Sequence, residues 1–275
     1  MTVIDITAAP ARSDPFAGPA PAGAPDRPRL LSYVGRWGRA RRWLPDGALR
    51  ILDVGCAFGY GSAAVVARGP AGRRIIGIER DPEHLELAAR RFPWVEIADA
   101  DATALPMTDG CADAVLLLDV IEHIAAPQRV LAEARRVLGE DGVIVVSVPH
   151  RGLLRRLDAL NLYAALRRRR PSLPPLESAT ESDGGPHRHY SAAELTALLE
   201  PWFDVDRVAR TGLGLQELVT IALIVIRVPL RMPKLAQALL PVHLLAYIAD
   251  DLLPTGPLAY HLAVRGRVRG GDPTP

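Results

Sequence analysis

The 275-residue sequence contains only two cysteines, Cys56 and Cys111, so it cannot build a disulfide framework. Its first residues also lack the basic segment followed by an apolar segment that is typical of a secretory signal peptide. Together these absences predict a reducing, cytoplasmic location. The sequence also lacks a large excess of charge of either sign, since its formal net charge is +2. The whole molecule therefore offers no electrostatic argument for binding nucleic acid.

No apolar run is long enough to cross a bilayer, which requires about 20 predominantly apolar residues. The stretch from Leu218 to Ile226 has 9 residues and is closed by charged residues on both sides. The stretch from Leu235 to Ala249 has 15 residues and is interrupted by a glutamine, a proline and a histidine. At most, the protein is expected to lie on the surface of a membrane.

The composition, with 49% hydrophobic and 23% charged residues, predicts a packed globular core. The first residues are different, because they are rich in proline, alanine and glycine and have little apolar surface to bury. We therefore expect residues 1–28 to form a disordered arm and residues 270–275 a disordered tail. Between them, residues 29–269 are expected to form one domain.

Within that domain, short apolar runs alternate with helical segments, which is the pattern of βα units and a parallel sheet. The runs lack the alternation of a half-exposed strand, as expected for strands covered on both faces. They lie at 49–54, 74–78, 95–97, 112–118 and 143–148, with later strands at 203–208 and 258–268. The predicted fold is α/β: a Rossmann-like, doubly wound, mostly parallel sheet of seven strands with apolar helical insertions.

Three helix starts are readable from capping residues. Asp81 followed by Pro82 is a typical start, and Pro127 opens a segment whose apolar face recurs at helical spacing. Ser191 and Glu194 have the spacing of a capping box.

Two insertions are expected to interrupt the regular α/β pattern. The segment 151–190 begins with seven arginines and one aspartate in residues 151–170, a local charge of +6, and predicts a basic amphipathic helix followed by a loop. The segment 212–257, inside a substrate-side half 191–269, is rich in leucine and isoleucine. Both are candidates for peripheral membrane contact, and the half 30–150 is the expected cofactor-binding part.

The most informative motif is a glycine turn that follows the first predicted strand. Asp53 precedes glycines at 55, 59 and 61, and an alanine-rich helix follows. A phosphate loop would need a lysine after the glycines, and a dinucleotide fingerprint would need G-x-G-x-x-G, so neither pattern matches. The remaining interpretation is the D-x-G-x-G-x-G loop that binds S-adenosylmethionine.

On this motif and those that follow it in order, the sequence resembles the class I S-adenosylmethionine-dependent methyltransferases. The similarity is to their small-molecule and lipid branch, which includes the ubiquinone-pathway O-methyltransferases, and covers roughly residues 50–203 and the last strand. The matching segments are 51–59, 76–79, 101–106, 112–124, 136–142 and 189–195. The sequence departs from the pattern at two places. Ala57 replaces the usual middle glycine, which is tolerable if its φ is negative, and Glu140-Asp141 replaces a Pro-Gly turn.

The resemblance implies S-adenosylmethionine as cofactor and a role for each matching residue. Asp53 would fix the loop near the methionyl amino group, and Glu79 would accept hydrogen bonds from both ribose hydroxyls. Asp101, preferred to its neighbour Asp99, would bind the adenine amino group. Asp119 would face the methionyl end or the methyl acceptor. The remaining implied contacts come from Gly55, Cys56, Gly59, Arg80 and Ala102.

Histidines are the candidate general bases. His123 lies early in a predicted helix, and His150 follows the carboxyl end of a strand, where open α/β sheets bind ligands. His187 and His189 are further candidates, but no carboxylate at ligand spacing joins them, so no metal site is predicted.

The expected function is methyl transfer, with O-methylation of a hydrophobic small molecule, lipid-linked intermediate or natural product, at the inner face of a membrane or in the cytoplasm. Two alternatives remain at this point. One keeps the cofactor but transfers an aminopropyl group or catalyses a rearrangement. The other is a non-catalytic module that binds lipid surfaces. A nucleic-acid methyltransferase is not expected, since no N-P-P-[YF] signature follows the fourth strand.

Overall fold

The computed structural model describes residues 3–4, 12–18, 34–66, 70, 72–173, 188–253 and 255–270. Of residues 3–4 it describes the backbone. His187 and most of the predicted loop before it lie outside the described residues.

The centre of the molecule is one eight-stranded sheet in the order β1-β4-β3-β2-β5-β6-β8-β7. The neighbours from β1 to β6 pair in parallel, and β8 pairs antiparallel with both β6 and β7. The strands are β1 Val3–Ile4, β2 Arg50–Val54, β3 Arg74–Glu79, β4 Glu96–Asp99, β5 Ala112–Leu118, β6 Leu138–Pro149, β7 Phe203–Thr211 and β8 His261–Val268. The predicted Rossmann-like sheet of seven strands is confirmed, and the two-residue β1 adds an edge.

Helices cover both faces of this sheet. They are α1 Gly35–Trp43, α2 Tyr60–Val66, α3 Pro82–Arg91, α4 Pro127–Val137, α5 Ala159–Arg169, α6 Ala192–Leu199, α7 Leu215–Arg227, α8 Pro233–Ala238 and α9 Leu240–Leu252. The capping predictions are confirmed: Asp81 accepts the backbone N–H groups of Glu83 and His84, and Ser191 forms a reciprocal capping box with Glu194.

The core has two parts, one on each face of the sheet, which explains why the strands read as continuous apolar runs. On one face α4 packs over β6 through residues such as Leu131, and α6 packs over β7 and β8 through Leu195. On the other face α1, α2 and α3 pack through Ala40, Ala63 and Ala88. A strand buried between two helical layers has no polar face, and therefore no period-2 pattern.

Two sequence-based expectations differ from the structure. The single helix predicted over 151–170 is wrong, because a short 3-10 helix, Leu153–Leu157, ends at Asp158 and α5 begins after it. The side chain of Asp158 accepts the N–H of Asn161, so this residue caps a new helix rather than continuing an old one. The predicted arm also contains ordered pieces, since β1 pairs with β4 and Ser13 forms a bridge with Met107.

The apolar insertion folds into the antiparallel helices α7 and α9, connected through α8, and lies beside α1. A buried ion pair between Arg39 of α1 and Asp251 of α9, with a 2.5 Å contact, joins the two regions. The neighbouring Asp250 is also buried and accepts the backbone N–H groups of Leu213 and Gln216, each at 2.8 Å. No helix in the described ranges has the length and apolar character needed to cross a bilayer.

We expect Asp250→Ala to lower the free energy of unfolding by about 3 kcal/mol, because it leaves two amides at the start of α7 without their charged acceptor. Chemical denaturation measures the loss. The matched control is Asp204→Ala, which removes an exposed ion pair with Arg269 and should change stability by less than about 1 kcal/mol. Equal effects in the two variants would contradict the anchoring role of Asp250.

Candidate active site

A cleft of about 1000 Å³ opens along the carboxyl edge of the sheet. This volume is at the upper end of small-molecule sites, which measure about 300–1,000 Å³. Four acidic side chains from the ends of neighbouring strands line it: Asp53, Glu79, Asp101 and Asp119. The other end is lined by residues of α5, α7 and α9, namely Leu160, Gln216, Glu217, Thr220 and His243. One continuous space therefore connects the glycine turn with the apolar insertion.

The glycine turn between β2 and α2 is held by backbone hydrogen bonds to the neighbouring strand. The N–H groups of Gly55 and Cys56 both donate to the carbonyl oxygen of Ile78, at 2.8 and 3.0 Å. Gly55 has φ +76°, and a Cβ there would lie 2.5 Å from Cγ2 of Val120. Only glycine combines this conformation with this close approach.

Ala57 also has a positive φ, of +45°. An alanine in place of the usual glycine would be free of strain only at a negative φ, so this condition is not met. The N–H of Ala57 donates to Oε2 of Glu79 at 2.9 Å. That hydrogen bond holds the alanine in a left-handed conformation, which costs a non-glycine residue about 1–2 kcal/mol.

Asp53 is buried, and its Oδ2 accepts the hydroxyl of Ser62 at 2.6 Å. Burial raises the pKa of Asp53 to about 6, although the Ser62 hydrogen bond and the positive charge of Arg36 oppose the rise. Asp53 is thus positioned to exchange a proton near neutral pH.

Glu79 lies at the end of β3, where its two carboxylate oxygens accept three backbone N–H groups, those of Ala57, Arg80 and Asp81. Next to it, the buried Nδ1 of His84 lies 3.9 Å from Oε2 of Glu79 and has no hydrogen-bond partner among the described residues. Since a carboxylate offers about four acceptor positions, Glu79 retains room for one further donor, and His84 offers a second polar atom beside it.

Asp101 lies just beyond β4, where Oδ1 accepts both the N–H and the hydroxyl of Thr103. These bonds, together with Arg80 at 3.2 Å, hold the pKa of Asp101 below its usual value. Ala102 also lines the cleft, whereas Asp99 is absent from its lining.

Asp119 follows β5 with a strained φ of +60° and is paired with Arg36 of α1 at 2.6 Å. Its other oxygen accepts the hydroxyl of Ser147 at 2.7 Å. Burial favours the neutral acid, but Arg36 and His261 outweigh it and hold the pKa of Asp119 below its usual value. The carboxylate is therefore ionised at the junction of the two halves of the cleft.

Beside Asp119, the carboxyl group of Glu122 is 3% exposed, and its Oε2 has no hydrogen-bond partner in the described part of the chain. Burial, reinforced by the charge of Asp119, raises its pKa well above the ordinary value. Glu122 and His123 both line the cleft.

Comparison with known proteins assigns this geometry to a family. Residues 52–146 match the family model described as "Methyltransferase domain". The chain carries a class I S-adenosylmethionine-dependent methyltransferase domain.

Two relatives illustrate the match. A protein of Mycobacterium tuberculosis named as a probable S-adenosylmethionine-dependent methyltransferase is 33% identical over 101 residues, which is 37% of this chain and 36% of that protein. The demethylmenaquinone methyltransferase of Clavibacter sepedonicus is 33% identical over 168 residues, which is 57% of this chain and 66% of that protein. The chain thus aligns with only about a third of the length of the mycobacterial relative.

Among solved structures, an S-adenosylmethionine-dependent methyltransferase of Thermotoga maritima, described as a possible histamine N-methyltransferase, superimposes with a TM-score of 0.57. The alignment covers 87% of this chain and 92% of that protein at 19% identity. At this identity the likeness shows the fold alone.

The cofactor of the methyltransferase domain is S-adenosylmethionine, and the residues present fit it. Carboxylates at the ends of adjacent strands supply acceptors for hydroxyl and amino groups, and the open Nδ1 of His84 adds an unsatisfied buried atom in the same place. In the described residues, no group of side chains could hold a metal ion.

Nine of the eleven residues predicted for the site line the cleft, and a tenth, Gly59, belongs to the same glycine turn. Those that line the cleft are Asp53, Gly55, Cys56, Glu79, Arg80, Asp101, Ala102, Asp119 and His123. Gly59 packs closely against α3, because a Cβ there would lie 3.1 Å from Cβ of Ala88.

His150 is the exception, and an acceptor-side role is not supported. It is 6% exposed, its Nδ1 lies 2.9 Å from the carbonyl oxygen of Ala259, and the cleft lining does not include it. His189 is also absent from the cleft lining and lies 3.4 Å from the buried Asp158. Position at the end of a strand was therefore not a sufficient signal for His150.

Sequence reasoning missed three polar residues of the site: Arg36, His84 and Glu122. Glu122 was present in the E-H pair of the family motif, so a signal existed. His84 could have been noticed as a histidine in the first turn of the helix that begins beside Glu79. Arg36 carried no signal, since α1 lies in no motif.

We expect Ala57→Gly to leave stability unchanged or to raise it by up to about 1 kcal/mol, because glycine adopts a positive φ without strain. Ala63→Gly, in the interior of α2, is the control and should lower stability by at least about 1 kcal/mol. Thermal and chemical unfolding compare the two. If both variants are destabilised equally, Ala57 is not strained.

We expect affinity for S-adenosylhomocysteine to increase as pH rises through about 6, because the ionised form of Asp53 attracts the cationic amino group of the ligand. Below that pKa the carboxyl group is neutral, and affinity should be about tenfold weaker at pH 5 than at pH 7. Isothermal titration calorimetry measures the profile. Asp53→Asn should bind weakly and lose this pH dependence, whereas Asp204→Asn, on the exposed edge strand β7, should retain it.

Proposed function

We propose that the protein transfers a methyl group from S-adenosylmethionine to an oxygen atom of a hydrophobic small molecule, lipid-linked intermediate or natural product. The observation that carries this proposal is the single cleft that runs from the cofactor residues to the inner face of the apolar insertion. An acceptor seated against α5, α7 and α9 would place its reactive atom near Asp119, at the junction of the two halves.

In this proposal S-adenosylmethionine supplies a methyl group that is activated by the positive sulfur, and the departing thioether needs no acid. The chain's own contribution is therefore to align the acceptor and to exclude water. Asp53 and Asp119 would hold the methionyl end of the cofactor, while Arg36 of α1 fixes the orientation of Asp119 through its ion pair. An acceptor hydroxyl would additionally need a base, which is a task for a positioned histidine or carboxylate.

His123 is the proposed base, because it alone of the two predicted histidines lines the cleft. The adjacent Glu122 is buried with an open Oε2, so it is placed to hydrogen-bond the acceptor. Its raised pKa keeps this carboxyl group protonated over a wider range of pH, which allows it to donate to an acceptor oxygen.

The name of the Clavibacter relative supports an apolar acceptor, since demethylmenaquinone is a lipid-soluble quinone. It does not identify the acceptor atom of this protein. A place at the inner face of a membrane, within the cytoplasm, agrees with an acceptor of this class.

Aminopropyl transfer receives less support from the cleft. A polyamine would need acidic groups directed toward its cations, but two acids at the acceptor end already accept backbone N–H groups at the start of α5. Oε2 of Glu217 accepts the N–H of Ala159 at 2.9 Å, and Asp158 accepts the N–H of Asn161 at 2.7 Å. Glu122 is the acid there with an open oxygen, and burial favours its neutral form.

The test has two steps. Calorimetry should show binding of S-adenosylhomocysteine that is weakened at least tenfold (about 1.4 kcal/mol) by Asp53→Ala or Glu79→Ala and is unchanged in Asp204→Ala. Label from the methyl group of S-adenosylmethionine should then enter the lipid-soluble fraction of a host extract, and His123→Asn should slow this transfer without weakening cofactor binding.

Absence of binding in the parent protein, with Asp53→Ala and Glu79→Ala behaving like it, would contradict the cofactor assignment. Label confined to the aqueous fraction would contradict the apolar acceptor while leaving methyl transfer intact.

A further inference from the structure

We propose that the outer face of the insertion, residues 215–253, docks on an anionic lipid bilayer. A corollary, which rests on the proposed function, is that the acceptor enters the cleft from the lipid phase along this layer. The docking surface is defined here as the solvent-facing side of α7, α8 and α9 with their connecting loops.

The first observation is that this surface is apolar where a soluble surface is normally polar. Large apolar side chains with exposed fractions of 46–68% are Leu230, Met232, Leu240, Val242, Leu245 and Leu252. All six lie between residues 230 and 252, on α9 or in the segment that joins α7 to α8, and these helices contact one another. Exposed apolar side chains gathered on packed helices mark an interaction site.

The second observation is that the polar and apolar faces of α9 are exchanged relative to those of an ordinary surface helix. Its polar residues face the protein: Asp250 caps the start of α7, Asp251 pairs with Arg39, and His243 lines the cleft. Its leucines face outward, with Leu245 65% and Leu252 68% exposed. A helix that buries its polar face and presents its apolar face is suited to an apolar environment outside the protein.

The third observation is the sign of the charge on this surface. The exposed charged residues from 215 to 253 are Arg227, Arg231 and Lys234, and all three are positive. The acids of the same segment, Glu217, Asp250 and Asp251, are turned inward and engaged by backbone amides or by Arg39. Apolar side chains with a cationic rim match the interface of an anionic membrane, where each basic residue adds attraction.

The α5 helix extends this charge. It packs against α7, and its last turn and the residue after it carry the arginines 167–170. Two of its leucines, Leu162 and Leu166, are also more than 40% exposed. The basic residues of α5 therefore add to the positive charge of the insertion, whose helix α7 it contacts.

The same charges argue against a second copy of the chain as the occupant. In a two-fold symmetric dimer the same patch meets itself, so the exposed cations Arg231 and Lys234 would come close to their own copies. The exposed charged side chains of residues 215–253 include no acid. A bilayer containing anionic lipids satisfies both the apolar area and the positive rim.

The surface and the cleft share their helices. Thr220 of α7 and His243 of α9 line the cleft, and Oγ1 of Thr220 lies 3.1 Å from Nε2 of His243. On the outer side of these helices lie Leu218 and Leu244, both exposed. One layer of helices would thus separate the bilayer from the acceptor end of the cleft.

Flotation of the full-length protein with vesicles tests the docking surface. Binding is expected with vesicles of mixed phosphatidylglycerol and phosphatidylcholine, much less with phosphatidylcholine alone, and less again when salt is raised from about 0.1 M to about 1 M. Leu245→Gln/Leu252→Gln and Arg231→Glu/Lys234→Glu should each reduce the bound fraction about tenfold or more. The matched control is Leu49→Gln/Arg90→Glu, which changes one exposed leucine and one exposed arginine elsewhere and should float like the parent.

Circular dichroism and affinity for S-adenosylhomocysteine should be unchanged in all variants, which shows that folding and the cofactor half are intact. The proposal is overturned if the parent does not float, or if the two surface variants float as well as the control. A dimer that dissociates in Leu245→Gln/Leu252→Gln, without vesicle binding by the parent, would identify a second copy as the occupant. Loss of flotation with normal transfer to a detergent-solubilised acceptor separates docking from the proposed activity.

Discussion

Negative charge gathered at one edge of the sheet is the constraint on which the rest of the site depends. Because β4, β3, β2 and β5 are parallel neighbours, their carboxyl ends bring four acids into one cleft. Each acid is stabilised differently: Glu79 by backbone amides, Asp119 by Arg36, and Asp53 by the hydroxyl of Ser62. These different solutions give the cleft both a fixed acceptor of hydrogen bonds and groups that respond to pH.

The parts predictable from sequence were those encoded locally. The glycine turn, the acids at strand ends and the helix caps each depend on a few consecutive residues, so spacing alone located them. Arg36, by contrast, reaches Asp119 from the helix α1, which lies far from Asp119 in the sequence, and no local pattern encodes such a contact. His150 shows the opposite failure, since its position after a strand was informative but the direction of its side chain was not.

The insertions were recognisable by composition but not by structure. Leucines at three- and four-residue spacing over 151–170 predicted one helix. The buried side chain of Asp158 instead marks the end of one helix and caps the next. In the segment 212–257 the abundance of leucine and isoleucine predicted a candidate for peripheral membrane contact, but it did not show which side of each helix these residues occupy, and many of the leucines are exposed. Hydrophobic content alone does not distinguish a core from a surface when polar residues such as Asp250 and Asp251 occupy the inner face.

The buried pair of Arg39 and Asp251 has a consequence for how the protein can be divided. The segment that matches the family, residues 52–146, includes neither partner, although Arg39 and Arg36 share the helix that covers Asp119. A chain trimmed to the family boundaries would lose this helix, β8 and the insertion together, and would expose the flank of β6. The parts of the sequence that carry no family signature therefore supply the helix that pairs with Asp119 and the strand that covers β6.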